Sequence, residues 1–128
     1  MSNTVRVLVV DDCADNAATL ARLIELWGYE VRVAYDGAGA LDVARSYRPF
    51  VVFLDLGLPD LSGYEVAGRL QVLFRCQPVL LVAITGYGQE EDCRRGQEAG
   101  FAHHLLKPVS PAFIEGLLAE HRRHSTAA

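Results

Sequence analysis

Apolar and polar residues fall in alternating blocks along this chain. Val5 to Val10 (VRVLVV) is almost wholly apolar and ends in Asp11-Asp12. Phe50 to Leu54 (FVVFL) ends in Asp55, and Val79 to Ile84 (VLLVAI) ends in Thr85. Continuous apolar runs of this length, bounded by breakers such as Gly57, Pro59 and Pro78, predict strands buried on both faces. Two further strands have a different texture. Val31 and Val33 alternate with Arg32 in EVRVAY, which suits a half-exposed edge strand, and His103 to Leu106 is a short strand ending at Lys107-Pro108.

Between the strands the period changes to that of a helix. Leu20, Leu23, Ile24 and Trp27 share one helical face, and Gly28 stops that helix. Asp36-Gly37 supplies a turn and N-cap for a helix with Ala40, Leu41 and Ala44 inside, closed off by Pro49. Ser62-Gly63 opens a helix with Val66, Ala67, Leu70 and Leu73 inward. Gln89 to Ala99 is a polar helix stopped by Gly100. Ser110-Pro111 starts the last helix, with proline at its first position and Phe113, Ile114, Leu117 and Leu118 inward. The chain is expected to fray from His121, leaving a core of about 5–122 and a tail of 123–128.

Strand and helix thus alternate five times, which implies right-handed crossovers and a parallel sheet covered on both faces. With EVRVAY and HHLL at the edges, the strand order is 2-1-3-4-5. The fold class is α/β: one three-layer, flavodoxin-like (βα)5 domain over 1–128, with its switch point between strands 1 and 3.

Composition narrows the function classes. At 128 residues the chain suits a single core, and 51% hydrophobic with 22% charged residues excludes chain-wide disorder. A net charge of −4 without a basic stripe gives no case for nucleic acid. No apolar run suits a membrane span, and the start MSNTVRV lacks the pattern of a secretory signal, so a cytoplasmic location is expected. Cys13, Cys76 and Cys93 show neither a CxxC pair nor zinc-ligand spacing and read as reduced thiols.

The strand ends carry the candidate chemistry. Strand 1 delivers Asp11 and Asp12, strand 3 Asp55, strand 4 Thr85 and strand 5 Lys107, all to the sheet rim where ligands bind in open α/β folds. Crowded carboxylates repel unless their pKa values rise or a cation neutralises them. A few carboxylates plus water suit Mg²⁺, or Mn²⁺ in its place, rather than zinc or copper. Lys107 offers a point charge to a phosphate and Thr85 a hydroxyl donor. Phosphoryl transfer needs this set, and an aspartate can itself accept the group as an acyl phosphate. Asp55, central and flanked on both sides, is the best-placed nucleophile.

Four segments, LVVDD at 8–12, FLDLGLPDLSGYE at 53–65, AITGYG at 83–88 and GFAHHLLKPV at 100–109, make the chain resemble the receiver domains of two-component response regulators. The likeness is to chemotaxis-regulator-like receivers and, in style, to those of hybrid histidine kinases. It spans about Val5 to Leu118. It implies Asp55 as phosphoacceptor, Asp12 as direct metal ligand, Asp11 as ligand mainly through water, and the backbone carbonyl of Gly57 as a further ligand. Thr85 and Lys107 would hold phosphoryl oxygens, and the Lys107–Pro108 bond would be cis. His104 falls at the switch-aromatic position, where an imidazole introduces pH sensitivity near neutrality. Gly57 and Tyr87 fall where the family tunes phosphoryl lifetime, and Cys13 stands where a polar residue is common, so a thiol would border the metal pocket.

The function implied is a phosphorylation-dependent signalling switch, not an enzyme acting on other molecules. The donor would be a sensor or hybrid histidine kinase or a histidine phosphotransfer protein. Output would be a contact with a downstream protein on the face of the 89–99 helix, the fifth strand and the last helix. The chain ends soon after the last helix, so no output domain is expected. Two other readings compete. A haloacid-dehalogenase-like phosphohydrolase would carry a second aspartate where Gly57 stands, together with a cap domain. An unphosphorylated scaffold would have no need of all five pocket residues.

Overall fold

The protein was analysed as a computed structural model, which describes residues 5–58, 60–75, 79–85, 100–107 and 109–126, with side chains in the last helix described to 122. The elements are β1 (Arg6–Val10), α1 (Ala14–Leu26), β2 (Glu30–Ala34), α2 (Gly37–Tyr47), β3 (Val51–Asp55), α3 (Gly63–Leu73), β4 (Leu80–Thr85), β5 (His103–Leu106) and α4 (Pro111–Thr126). The helix expected over Gln89 to Ala99 lies outside the described residues. All strand pairs are parallel and the order is β2-β1-β3-β4-β5, as the hydrophobic pattern predicts.

Period-two alternation sorts the strand side chains onto two faces. Leu8, Val10, Val52, Leu54, Leu81 and Ala83 pack with Ala40, Leu41 and Ala44 of α2 and Val66, Ala67 and Leu70 of α3. Val7, Val9, Val51, Phe53, Val82 and Ile84 pack with Ala17 and Ile24 of α1 and Ile114, Leu117 and Leu118 of α4. The central strands are therefore apolar on both sides, whereas edge strand β2 exposes Glu30 and Arg32.

The helix faces differ from expectation in three places. In α1 the fully covered residues are Ala17, Ala21 and Ile24, while Leu20, Leu23 and Trp27 are only half-buried. Alanines let the helix axis approach the sheet, and the larger residues then splay to either side. Leu73 and Phe113 are 41% and 51% exposed, at the margins of the apolar stripes of α3 and α4. The backbone of α4 continues to Thr126 rather than fraying from His121. Within the described part of α4, the Arg122 guanidinium lies 5.5 Å from the Tyr29 ring centre, a contact that fastens the helix to the α1–β2 connection.

Gly28 ends α1 at φ +95°, where its N–H reaches the Glu25 carbonyl at 3.0 Å and the Tyr29 N–H reaches that of Ile24. Gly63 opens α3 where a Cβ would lie 2.7 Å from the Leu56 Cα, so only glycine lets that helix start directly beneath the β3 exit.

Phe53 is fully buried and Phe113 half-exposed. Phe53→Ala is expected to lower unfolding free energy by about 3–5 kcal/mol in urea titrations, and Phe113→Ala to change it by about 0.5 kcal/mol or less. Equal losses at both positions would contradict this packing.

Candidate functional site

Parallel strands carry their C-terminal ends to one rim, and register sets what meets there. Val10 of β1 stands opposite both Ala34 and Leu54, so Asp11 emerges next to Asp55. Asp55 stands opposite Ile84, and Thr85 opposite Leu106, which brings Thr85 and Lys107 to the same rim. Asp11 and Asp55 are buried, as is Thr85, whereas Asp12 is exposed.

Each buried carboxylate is held in part by backbone. Cys13 N–H donates to Asp11 Oδ1 at 2.9 Å, and Gly57 N–H donates to Asp55 Oδ1 at 2.9 Å. The second oxygens face one cation. Lys107 Nζ lies 3.0 Å from Asp55 Oδ2 and 3.8 Å from Asp11 Oδ2. Lys107 is itself located by its N–H, which bonds the Thr85 carbonyl at 2.8 Å.

Charge and burial work against each other here. Burial pushes the Asp11 carboxyl above the usual aspartate range and the Asp55 charge adds to this, outweighing the Cys13 N–H and the Lys107 ammonium. Burial disfavours the charged form of Lys107, but the hydrogen bond it donates to Asp55 and the charges of Asp55, Asp11 and Asp12 hold it above the ordinary lysine value.

One oxygen each from Asp11, Asp12 and Asp55 falls within 4.8 Å of the others. Three carboxylate oxygens at that spacing fit a small hard cation such as Mg²⁺, which takes a few carboxylates and keeps waters. Thus Asp11, Asp12, Asp55, Thr85 and Lys107, picked out by their places at strand ends, are brought together. Gly57 stands two residues after Asp55 and is exposed. His104 stands one step back on β5, opposite Ala83. Both its ring nitrogens are enclosed and lack hydrogen-bond partners among the described residues. Cys13 is exposed at the N-cap of α1, where its backbone rather than its thiol engages the site. Tyr87 and Pro108 lie outside the described residues, so neither the tuning position nor the Lys107–Pro108 bond is described.

Two features of the site escape sequence reading. One is a cavity of about 580 Å³ between α1 and α4, lined by Leu20, Leu23, Ile84 and Ile114 together with Asp11 and Lys107. The half-buried leucines of α1 form its wall. The other is Asp60, in the β3–α3 loop, whose carboxylate bonds the start of α2. Its only sequence signal is a carboxylate in a turn, and its partners lie 22 and 23 residues away.

A parallel five-stranded sheet of this order, with acidic residues and a lysine on its C-terminal rim, defines a receiver domain. The sequence matches the response regulator receiver domain family over residues 7–119, and the chain belongs to that family. It is 34% identical to the polar-differentiation response regulator DivK of Brucella anthropi over 110 residues, covering 85% of this chain and 89% of that one. The DivK protein of Brucella ovis is also 34% identical, over 88% of this chain and 92% of its own. Among solved structures, a CheY-like receiver domain protein from Methanospirillum hungatei superposes with a TM-score of 0.87 at 24% identity, covering 98% of this chain and 99% of the other. The chemotaxis response regulator CheY4 of Vibrio cholerae does so at 0.81 and 27%, covering 92% and 98%. The protein is therefore a phosphoacceptor switch domain of two-component signalling. Among the described residues no helix is long and apolar enough to cross a membrane.

Because burial raises the Asp11 carboxyl, the ionised group destabilises the metal-free fold. A folded-state pKa above the unfolded value near 3.9 means stability is lost as pH rises from the unfolded value through the folded one. Asp11→Asn is therefore expected to raise the melting temperature in EDTA by a few degrees. A lower melting temperature in EDTA would contradict this account.

Proposed function

We propose that Asp55 accepts a phosphoryl group from a phosphohistidine, or from a small phosphodonor, and that this modification controls the protein's binding surface. The observation that carries the reading is the Asp55 carboxylate itself. It is buried at the rim, held by Gly57 N–H and Lys107, and set within 4.8 Å of the Asp11 and Asp12 oxygens.

In the transfer, an Asp55 oxygen forms a bond to phosphorus as the phosphorus–nitrogen bond of the donor imidazole breaks, and the ring, already protonated on its other nitrogen, leaves as neutral imidazole. Lys107 already faces Asp55 and keeps its ammonium at neutral pH, so it is suited to hold a phosphoryl oxygen. The Thr85 hydroxyl, on the neighbouring strand, suits a second. Asp12 as direct ligand, Asp11 through water, Asp55 and the Gly57 carbonyl would hold Mg²⁺ or Mn²⁺, which neutralises charge on the transferring group. Asp55, Thr85 and Lys107 thus form the reacting set.

Thr85 and His104 would then act as the switch. Thr85 is drawn toward the new oxygens and His104 takes the vacated space, a population shift driven by differential contacts in the two states. Burying the imidazole next to Ala83 without a hydrogen-bond partner among the described residues gives it little to lose by moving. Gly57, exposed and without a side chain, leaves water a path to the acyl phosphate, and Tyr87 would shield the other side.

A sensor or hybrid histidine kinase, or a histidine phosphotransfer protein, fits as donor, with a downstream protein as receiver of the output. These partners place the domain's work in the cytoplasm. The largely apolar cavity between α1 and α4 counts Asp11 and Lys107 in its lining and suits a helix that presents its phosphohistidine to Asp55.

Intact-protein mass after incubation with acetyl phosphate tests the acceptor. A gain of one phosphoryl group is expected only with Mg²⁺ present and only with Asp55 intact, and Asp55→Asn should gain none. No gain by the wild type at any donor concentration would sink the proposal. The donor groove makes a separate prediction. Leu23→Glu should slow transfer from a phosphohistidine protein on the order of tenfold while leaving acetyl phosphate labelling unchanged. Equal slowing with both donors would place the effect at the acceptor instead.

A further inference from the structure

We propose that Asp60 is a positioning residue for the metal end of the site. It acts by fixing the β3–α3 loop, which carries Gly57, against the first turn of α2. This inference rests on the metal reading above and extends it to a residue outside the donor set.

The argument begins with the orphan donors of a helix start. The N–H groups of Gly37, Ala38 and Gly39 have no partner within the helix. Asp36, the local cap, takes one of them: its Oδ1 accepts from Gly39 at 2.6 Å, while its carbonyl accepts the helix's own first bond from Ala40 at 3.0 Å. The remaining two, on Gly37 and Ala38, donate at 2.7 and 2.9 Å to the two oxygens of Asp60. A capping side chain accepts from N2 or N3, and Asp36 is engaged with Gly39, so the first donors are left to water or to another part of the chain. These two bonds hold the Asp60 carboxyl below the usual range, so it is ionised at neutral pH. Its charge also faces the positive end of α2.

The same bonds locate the loop. From Leu56 to Gly63 the segment is pinched at its base, where Gly63 N–H bonds the Leu56 carbonyl at 3.4 Å, and Leu56 N–H is tied to Ile84 at 3.1 Å. Asp60 lies toward the far end of this segment, with Gly57 in between. Close packing of side chains on Gly37 adds to the tie. A Cβ on Gly37 would lie 2.9 Å from Leu61 Cβ and 3.0 Å from Val66 Cγ2, so α2 and the loop touch with no room for a side chain. The loop is thus held at both ends, to β4 and to α2. Cutting the second hold frees Gly57 on one side while leaving Asp11, Asp12 and Asp55 where they are.

The experiment compares Asp60→Ala, Asp60→Asn, Asp36→Ala and Gly37→Ala with the wild type in Mg²⁺ titrations followed by calorimetry and by the Gly57 amide resonance. Asp36→Ala uncaps the same helix without touching the loop. Asp60→Ala is expected to weaken Mg²⁺ binding about tenfold, a loss typical of groups that orient metal ligands. Asp60→Asn, with one acceptor oxygen, should fall between it and the wild type, and Asp36→Ala should bind within about twofold of the wild type. Gly37→Ala should also bind Mg²⁺ more weakly, although alanine is the better helix former, because it pushes Leu61 away. At saturating Mg²⁺ the Asp60→Ala protein should be labelled by acetyl phosphate at nearly the wild-type rate. Unchanged Mg²⁺ affinity in Asp60→Ala, or an equal loss in Asp36→Ala, would overturn the inference and leave Asp60 as a helix cap. A wild type that binds no Mg²⁺ would overturn the metal reading and this inference with it.

Discussion

Lys107 Nζ stands 3.0 Å from one buried carboxylate and 3.8 Å from another, and much of the rim depends on that ammonium. Two carboxylates brought out of water side by side repel, and burial together with the Asp55 charge raises Asp11. A single cation shared between Asp55 and Asp11 lets the parallel sheet end in acids at two neighbouring central strands. The ammonium that balances Asp55 is also a point charge suited to a phosphoryl oxygen. Stability and function therefore meet in one contact, as is common where reactive groups are held in unfavourable surroundings.

The fold serves this contact by keeping everything else apolar. Strands β1, β3 and β4 are buried on both faces, with α1 and α4 on one side and α2 and α3 on the other. Side chains alternate between those layers until the last residue of each strand, where the cover ends and polar groups emerge together. Helix starts are tuned to the same rim. Gly63 brings α3 beneath the β3 exit, and Asp60 and Asp36 divide between them the free donors of α2. The β3–α3 loop is in this way part of the scaffold as well as part of the site.

The sequence by itself determined the strand order, the two-layer cover and the rim set of Asp11, Asp12, Asp55, Thr85 and Lys107. Each is a local signal: an apolar run, a breaker, and the residue at which the run stops. Backbone sterics and hydrophobic burial turn such signals into a parallel sheet almost without alternatives. Helix faces were less legible. Period alone placed Leu73 and Phe113 inward, but the width of a helix's covered stripe depends on how closely its neighbours approach, and both lie at the margin. In α1 the close approach through Ala17 and Ala21 left Leu20 and Leu23 to line a cavity, which no count of apolar positions reveals.

Only the tertiary structure decided the contacts made between segments distant in the chain. Lys107 meets Asp55 across 52 residues, and Asp60 meets Gly37 across 23. In the sequence the first pair is a surface-type lysine and a strand-end acid, and the second is a turn acid beside a helix start. Distance along the chain carries no information about hydrogen-bond geometry, whereas the register of the sheet does. That is why the rim's membership is written in local sequence, and the assignment of each oxygen to its partner is not.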